Sequence, residues 1–355
     1  MAKSSIKHDP SGMARELERW FKAHARDLPW RRRRTRWRSL VSEIMLQQTQ
    51  VSRVVEKFDP FLKRFPNPAA LASAPEDEVL AAWSGLGYYR RARSLQAAAG
   101  VIVERHGGRV PSDPELLMAL PGVGRYTAGA VASIACGQHV PIVDGNVHRV
   151  LSRLWADPVS ADDRAGMNRA WERAEFLVKE AGDPGVFNEA LMELGACVCT
   201  PKAVSCSTCP LSSSCIAFDQ GKVELIPPPK QRVAQPIEHH HAIGLVRRRK
   251  LAVQKRSTEG RWGGMWEVPT VESKRRLRPG EIQKQLGLEI ESLELIGSFQ
   301  RTLTHRRVHF HVYRGQLPVG NKPWMKSLKW IAPGEEMPMG VAQRRTLELL
   351  EWPDC

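Results

Sequence analysis

Apolar residues recur at helical spacing from Met13 to about Phe218, and the spacing changes farther along the chain. In the first region, proline and glycine separate the periodic segments at FPNP, HGGRVPSDP, LPGVG and AGDPG, which predicts a series of helices. The stretch LIPPPKQRVAQP (225–236) cannot continue a helix and is typical of an extended linker. The sequence therefore predicts an all-α domain over residues 1–224, a linker over 225–236 and a second domain over 237–355.

The region after the linker combines strand and helix patterns. HHAIGLVRRRKLAVQKR and RVHFHVYRGQL are typical of strands, whereas PGEIQKQLGLEI and MGVAQRRTLELLEW have helical spacing. This combination predicts an α+β fold. We expect the imidazoles of His239, His240 and His241 to be solvated, because three neighbouring histidines between a linker and a strand seldom hold a metal ion.

The charge of the chain favours a polyanionic partner. The 355 residues carry a formal net charge of +15, and cations placed on phosphates release condensed counterions. Nucleic acid is the first candidate, and a merely solubilising basic surface is the alternative. The first residues show no apolar core of signal-peptide length, and no later apolar run could span a bilayer. We therefore expect a cytoplasmic protein with no membrane partner.

Four of the seven cysteines lie in one short segment, CTPKAVSCSTCPLSSSC. Cys199, Cys206, Cys209 and Cys215 have the spacing C-x6-C-x2-C-x5-C, which indicates a metal site rather than a disulfide framework. Four thiolates suit either a tetrahedral zinc ion or a [4Fe–4S] cluster. The spacing alone leaves both alternatives open.

The stretch LPGVGRYTAG predicts a tight turn between two helices. Gly122 and Gly124 bracket Val123, and glycine can adopt positive φ or let another backbone approach. The N–H groups at the start of the following helix form an anion site that suits a phosphate oxygen. A plain helix–turn–helix corner is the alternative.

Two carboxylates are candidates for acid–base and electrostatic catalysis. On the predicted helix WRSLVSEIMLQQTQV, Glu43 falls inside the apolar sector, where burial raises a carboxyl pKa and provides a general acid near neutral pH. Asp144 precedes a helix in VPIVDGNVHRVLSRLW, where an ionised carboxylate can stabilise a developing oxocarbenium ion. The structural alternatives are a surface glutamate and an ordinary N-cap.

Six segments occur in the order found in MutY-type adenine DNA glycosylases of the endonuclease III superfamily, which the chain resembles over residues 15–220. They are LPWR, SEIMLQQTQV, WSGLGYYRRAR, LPGVGRYTAG, VDGNVHRVLSRL and the cysteine loop. The resemblance implies a two-lobed helix-hairpin-helix domain with a [4Fe–4S] cluster on the four cysteines. It also implies a hairpin that grips the DNA backbone, with a bound monovalent cation. The implied reaction removes adenine opposite 8-oxoguanine or guanine in duplex DNA, and we expect a monomer that associates with the nucleoid.

The resemblance also implies roles for individual residues. Glu43 corresponds to the acid that protonates adenine N7 and Asp144 to the stabiliser or transient nucleophile, with Tyr126 and Asn146 as their hydrogen-bond partners. The bifunctional branch has a lysine in place of Tyr126, and tyrosine cannot form an imine, so hydrolysis without strand cleavage is expected. Because adenine must be flipped, contacts with adenine or the opposing base are expected from Trp30, Arg31, Glu189, Gln48, Leu86 and Tyr88. Of the neighbours Tyr88 and Tyr89, one is expected to be a core residue.

The C-terminal region, with GRWGGMWEVPT, resembles the Nudix-like domain with which MutY-type enzymes read 8-oxoguanine. A Nudix hydrolase would need a helix with several metal-binding glutamates, and ESKRRLRPGEIQKQLGLEI lacks such a cluster, so we expect a binding role. The family's lesion-reading loop has Phe-Ser-His, to which Leu303, Thr304 and His305 correspond. Because Leu303 lacks the aromatic ring, the preference for 8-oxoguanine over guanine stays open.

Two other functions are alternatives at this point. An endonuclease III-like pyrimidine glycosylase and lyase is disfavoured by Tyr126. A catalytically silent DNA-binding module would share the basic charge, the hairpin and the cysteine loop. The presence of both Glu43 and Asp144 argues against it.

Overall fold

The chain forms two compact units, one of residues 1–73 and 94–231 and the other of residues 74–93 and 232–355. The computed structural model describes residues 6–228, 234–257, 259–303, 305–318, 320, 323–335 and 337–352. Thr304 and part of the predicted linker lie outside the described residues.

Helices dominate the chain up to residue 219. They are α1 (Pro10–His24), α2 (Pro29–Arg32), α3 (Arg36–Leu46), α4 (Val51–Arg64), α5 (Pro68–Ala72), α6 (Glu76–Ala82), α7 (Arg90–His106), α8 (Pro114–Met118), α9 (Arg125–Cys136), α10 (Gly145–Leu154), α11 (Arg164–Val178), α12 (Pro184–Cys197) and α13 (Ile216–Asp219). Helix α6 and the first residues of α7 belong to the second unit.

The helices of the first unit pack in two lobes. Residues of α1, α10, α11 and α12 share one apolar core, to which Met13, Leu17 and Phe21 of α1 contribute at successive turns. In the other lobe α3 packs against α4 and α9, and α9 packs against α8. Helix α12 contacts α9 as well as α10. It therefore joins the two lobes along one apolar, almost wholly buried helix.

The start of α10 is held against α12 by a close backbone approach. A Cβ atom on Gly195 of α12 would lie 2.8 Å from Asn146 Cβ and 2.9 Å from Asn146 O. Only glycine permits this approach without a shift of one helix. The contact fixes the first turn of α10, and with it the side chain of Asp144.

The second unit contains a mixed sheet and two further helices. The strands are β1 (Ile237–Arg247), β2 (Lys250–Lys255), β3 (Trp266–Glu267), β4 (Thr270–Ser273), β5 (Ser292–Thr302), β6 (Arg307–Gln316) and β7 (Lys329–Ile331), and the helices are α14 (Pro279–Leu286) and α15 (Val341–Leu349). The main path is β3-β2-β1-β6-β5, with β4 on β1 and β7 on β2. Strands β1 and β6 are parallel, and the other pairs are antiparallel. The α+β prediction is confirmed.

Hydrogen bonds and an ion pair hold residues 74–93 against the C-terminal region. Arg93 Nη2 donates to Gly263 O at 2.5 Å, and Lys255 Nζ lies 3.0 Å from Asp77 Oδ1. Arg344 Nη2 of α15 donates to Ser84 Oγ at 3.0 Å. The predicted domain limits at residues 224 and 237 stay a prediction. The structure adds that residues 74–93 belong to the second compact unit.

Three local expectations are corrected. The prediction that the histidine run is solvated is wrong, because β4 and β6 flank β1 there, and His240 and His241 are fully buried. The segment predicted as one helix around Glu43 is two, because Gln48 adopts φ +54° between α3 and α4. Gly122 has φ +77°, but Gly124 is extended with φ −99° and serves as the N-cap of α9. Among the described residues no helix is long and apolar enough to cross a bilayer.

Replacing Gly195 by alanine should disturb the α10–α12 contact. The added methyl group meets backbone atoms, so we expect a loss of about 1–3 kcal/mol in the free energy of unfolding. The control is Gly100→Ala on α7, where a Cβ atom meets nothing within 4 Å and helix propensity favours alanine by up to about 1 kcal/mol. Urea denaturation of both variants and of the parent tests this. Equal urea midpoints for Gly195→Ala and the parent would show that the contact is not tight.

Candidate active site

A cavity of about 480 Å³ lies in the first unit between α3, α9, α10 and α12. Its volume is in the range of small-molecule sites. Eight of the residues singled out in the sequence line it: Trp30, Arg31, Glu43, Gln48, Tyr126, Asp144, Asn146 and Glu189. The fold thus brings both candidate carboxylates to one cavity.

Glu43 projects into this cavity from the apolar side of α3. Its neighbours Ile44 and Met45 are fully buried, and the Glu43 residue is itself only 5% exposed. Burial raises the pKa of Glu43 to about 7, a hydrogen bond with Tyr126 opposes the rise, and the charges of Glu189 and Asp144 add to it. Oε2 of Glu43 accepts no hydrogen bond from the described residues. A carboxyl group in this state holds a proton near neutral pH.

Tyr126 lies in the first turn of α9, and Gly124 is the N-cap of this helix. Its hydroxyl hydrogen-bonds with Glu43 and also lies 3.0 Å from Met192 Sδ. Burial, followed by the charges of Glu43 and Asp144, raises the pKa of Tyr126 well above its usual value. The hydroxyl therefore stays protonated and can donate to the Glu43 carboxylate.

Asp144 caps the N-terminus of α10. Its Oδ1 accepts from Val147 N at 2.7 Å, and its Oδ2 accepts from Asn146 Nδ2 at 3.0 Å. The start of a helix favours negative charge, and both oxygens have donors. Asp144 and Glu43 thus occupy opposite environments: one is surrounded by donors and the other by apolar side chains.

A network of arginines and glutamates forms another wall of the cavity. Glu189 pairs with Arg31 at 3.0 Å and with Arg34, and Glu193 pairs with Arg26 at 2.7 Å and with Arg31 at 3.0 Å. Burial opposes charge on Glu193, but the hydrogen bonds from Arg26 and Arg31 outweigh it and lower the pKa to about 2. In Glu189 burial dominates, and the pKa is raised despite Arg34 and Arg31.

Sequence reasoning missed three members of this network, namely Arg26, Arg34 and Glu193. A signal for Glu193 was present, because Glu189 and Glu193 stand four residues apart in the otherwise apolar segment FNEALMELGAC. Two acidic side chains on one face of a buried helix require cationic partners.

The first turn of α10 is connected to the cysteine loop through Arg149. This guanidinium donates to Asn146 Oδ1 at 2.9 Å, to Gly195 O at 2.6 Å and to Cys199 O at 2.8 Å. One turn later, Arg153 donates to Cys199 Sγ at 3.1 Å. A single helix therefore supports both the Asp144 carboxylate and the cysteine loop.

The four cysteine thiols are suited to one metal centre. Cys199 and Cys215 are buried, Cys206 and Cys209 are half-buried, and these thiols act on one another electrostatically. Burial raises the pKa of Cys209 to about 12. Four neighbouring cysteines, with Arg153 donating to the sulfur of one of them, fit a cationic metal or cluster that binds thiolates.

The hairpin has the geometry of a tight turn. A Cβ atom on Gly122 would lie 2.5 Å from Ser94 Cβ, so the position requires glycine for space as well as for its positive φ. Gly122 and Gly124 are exposed, whereas Val123 is buried. The exposed backbone at the start of α9 is available to a ligand.

The residues expected to fill the gap left by a flipped base differ in exposure. Gln48 is exposed with φ +54°, and Tyr88 is 48% exposed with φ +49°. Leu86 and Tyr89 are buried, so Tyr89 is the core member of the tyrosine pair. Positive φ in residues other than glycine costs free energy and is concentrated at functional sites.

The expected lesion-reading loop joins β5 to β6. Leu303 packs on the apolar cluster that contains Phe310, and it is half-buried. His305 is exposed, and Thr304 lies outside the described residues. Leu303 O accepts from Gln235 Nε2 at 3.2 Å.

Comparison with known proteins agrees with this geometry. Residues 41–175 match the HhH-GPD superfamily of base excision DNA repair proteins. The adenine DNA glycosylase of Homo sapiens is 35% identical over 89% of this chain and 69% of the human protein. The chain belongs to the adenine DNA glycosylase family. The enzyme from Rattus norvegicus is 46% identical over 62% of this chain, although this alignment spans less than half of the rat protein, 45%.

Solved structures of other glycosylases share the helical fold of this family member. A thermostable thymine-DNA glycosylase has 29% identity and a TM-score of 0.54 over 59% of this chain and 97% of its own. Residues 241–349 match the NUDIX domain family. The two-lobed helix-hairpin-helix domain and the Nudix-like domain are therefore both confirmed.

The raised pKa of Glu43 predicts a pH-dependent effect of Glu43→Gln on stability. The folded pKa is about 7 against the usual 4.5, so the unfolded chain loses this proton first and the parent loses stability as pH rises from about 4.5 to 7. The variant lacks this loss. Its stability relative to the parent should increase across that window, by on the order of 3 kcal/mol.

Urea denaturation at pH 5 and pH 8 measures this difference, and Glu104→Gln on the exposed side of α7 is the matched control. If the free energies of unfolding of the Glu43 variant and the parent differ by the same amount at both pH values, the raised pKa is contradicted.

Proposed function

We propose that this protein is a monofunctional glycosylase that hydrolyses the bond between adenine and deoxyribose C1′ in duplex DNA, where adenine is mispaired with 8-oxoguanine or guanine. The observation that carries the proposal is the pair of unlike carboxyl groups in one cavity, a buried Glu43 whose pKa is raised and a hydrogen-bonded Asp144. A cavity of about 480 Å³ can accept a flipped purine. The protein acts as a monomer in the compartment that holds the DNA.

The two carboxyl groups divide the chemistry. Glu43 donates its proton to N7 of the flipped adenine, which makes the base a neutral leaving group. The carboxylate of Asp144, held by hydrogen bonds from Val147 N and Asn146 Nδ2, stabilises the positive charge that develops at C1′, or bonds to it transiently. Water then bonds to C1′ and gives a proton to the Glu43 carboxylate, which leaves free adenine and an abasic deoxyribose. Tyr126 donates to the Glu43 carboxylate as it becomes charged, and Asn146 holds Asp144 in place.

The wall of the cavity orients the base. Trp30 offers an apolar edge, and Arg31 and Glu189 offer polar groups whose positions are fixed by their ion pair at 3.0 Å. Of the described residues that line this cavity, none is a lysine. An imine with the sugar therefore has no nucleophile here, which supports hydrolysis without strand cleavage.

The hairpin and the exposed residues Gln48 and Tyr88 contact the DNA. Backbone groups of Gly122, Val123 and Gly124 hold the phosphate backbone, with a monovalent cation bound to the turn. Gln48 fills the space from which adenine leaves, and Leu86 and Tyr88 form an apolar wedge beside the opposing base. The exposure of Gln48 and Tyr88 supports this role.

The cysteine loop carries a [4Fe–4S] cluster with a structural and electrostatic role. Cys199, Cys206, Cys209 and Cys215 would hold it, and Arg153 would donate to one of its sulfur ligands. Purified protein should absorb at about 400 nm and contain iron and sulfide. Colourless protein that contains zinc would overturn this proposal and leave the proposed hydrolysis untouched.

The Nudix-like domain reads the opposing base rather than hydrolysing a nucleotide. Glu281, the glutamate of α14, pairs with Arg275 and with the backbone of Arg278. It is therefore engaged in capping a helix. Leu303, Thr304 and His305 are the residues that would read the lesion, and Leu303→Phe tests whether the missing ring sets the preference between 8-oxoguanine and guanine.

Single-turnover reactions test the function directly. Duplexes with adenine opposite 8-oxoguanine, guanine or thymine are incubated with the protein and then analysed with and without alkali. We expect alkali-dependent cleavage opposite 8-oxoguanine and guanine only. Glu43→Gln should abolish base removal and retain DNA binding, whereas Glu104→Gln should retain both. Cleavage without alkali would indicate a lyase, and binding without any cleavage would indicate a silent module.

The pKa of Glu43 also sets a pH profile. Because Glu43 acts as an acid and its pKa is about 7, the rate of base removal should fall about tenfold per pH unit above pH 7. Single-turnover rates between pH 5.5 and 9 at saturating protein measure this. A rate that is unchanged from pH 6 to pH 9 would exclude Glu43 as the proton donor.

A further inference from the structure

The loop that joins α6 to α7 has a constrained backbone. Its residues 83–89 lie in the second unit, and they include Leu86 and Tyr88, the apolar wedge of the proposed function. Gly85, Gly87 and Tyr88 adopt φ angles of +98°, +71° and +49°. A positive φ costs a tyrosine free energy, so the surrounding structure has to hold this conformation.

Arg91, in the first turn of α7, binds this loop through several hydrogen bonds. Its Nη2 donates to Leu86 O and to Gly87 O, each at 3.1 Å. Its backbone N donates to Tyr88 O at 2.8 Å. One residue thus binds three successive carbonyl groups of the loop, and the helix that carries this residue fixes where those carbonyl groups lie.

The same guanidinium lies over two aromatic rings. Arg91 Cζ is 5.5 Å from the centroid of the Trp83 ring and 5.5 Å from that of the Tyr88 ring, within the range of a cation–π interaction. Trp83 is fully buried, and its Nε1 donates to Gly87 O at 3.1 Å. Arg91 therefore connects the exposed ring of Tyr88 to a ring that is fixed in the core.

We propose that Arg91 is a positioning residue for base removal, because its guanidinium holds Leu86 and Tyr88 in place as the wedge. This inference rests on the proposed function, since a wedge acts only where a base leaves the stack. Arg91 is not one of the described residues that line the catalytic cavity. We therefore expect it to act on the reaction through the wedge.

Order in the loop before DNA binds is what the clamp by Arg91 contributes. A wedge that is already ordered gives its full contact energy to the flipped state, whereas a mobile loop has to be ordered first. Loss of the clamp should reduce the fraction of bound DNA in which adenine is flipped. At saturating protein this lowers the rate constant of base removal, while proton donation by Glu43 keeps its dependence on pH.

Two substitutions of Arg91 separate this role from a contact between its charge and a phosphate. Arg91→Met removes the charge and the clamp. Arg91→Lys keeps the charge, but an ammonium group is compact and strongly hydrated and lacks the planar group that stacks on rings. A phosphate contact would survive the change to lysine, because it depends on charge. A clamp should be lost in both variants.

The test uses full-length protein with the cysteine site loaded, at saturating concentration, and a duplex with adenine opposite 8-oxoguanine. Arg91→Met and Arg91→Lys should each lower the single-turnover rate constant about tenfold or more. The amplitude, which reports the amount of active protein, and the shape of the pH profile should not change. Arg90→Met is the matched control, because it removes the same charge from the adjacent, exposed position, and it should leave the rate constant unchanged.

A double-mutant cycle with Tyr88→Ala shows whether Arg91 acts through the wedge. In the Tyr88→Ala background, Arg91→Met should lower the rate constant much less than it does in the parent, because one of the residues that it places is already gone. Effects of the two substitutions that simply multiply would contradict the inference.

The outcomes distinguish this inference from the proposed function. A parent protein that removes no adenine overturns the proposed function and this inference with it. If the parent is active and Arg91→Lys keeps its rate constant, or if only the amplitude falls, the positioning role of Arg91 is overturned and the proposed function stands.

Discussion

The site depends on how α10 is seated against α12. Arg149 makes this contact specific, since one guanidinium donates to the side chain of Asn146 and to the carbonyls of Gly195 and Cys199. A partly buried guanidinium is stable only when its donors are used. The same interaction therefore sets the position of Asn146, the path of the chain into the cysteine loop and, through Asn146, the orientation of Asp144.

The distribution of arginines explains why two carboxyl groups in one cavity differ. Arg26, Arg31 and Arg34 reach the cavity wall, but their donors are directed at Glu189 and Glu193. Little cationic charge is left for Glu43, which lies among apolar side chains and feels the nearby carboxylates. Its pKa rises for that reason. Burial is the main cause of this rise, and the buried ion pairs assist it because they engage the cations that would otherwise lower the pKa of Glu43 further.

Much of this site follows from local patterns in the sequence. Helical periodicity identified Glu43 as buried, the helix start identified Asp144, and the spacing of four cysteines identified the metal loop. These signals are local, because burial on a helix and capping are set within a few residues. The resemblance to a family supplied the remaining wall residues that were predicted, including Glu189.

Other features depend on contacts between distant segments. Arg26 and Glu193 are 167 residues apart along the chain, and neither position alone shows that they pair. The error for His239–His241 has the same origin. These residues were judged by their neighbours in sequence, whereas the register of β1 with β6 places them beside His309 and His311. Parallel pairing joins segments about 70 residues apart, and local spacing carries no information on it.

Charge balance around His240 follows the same logic as the cavity wall. His240 lies 3.9 Å from Glu238 and 3.7 Å from Glu272, an arrangement of ligand atoms that could hold a metal ion. Arg261, however, pairs with both carboxylates. A guanidinium already supplies the positive charge there, and a divalent ion would have to displace it. As with Glu189 and Glu193, the acidic groups of this cluster are balanced by arginine rather than left available to another cation.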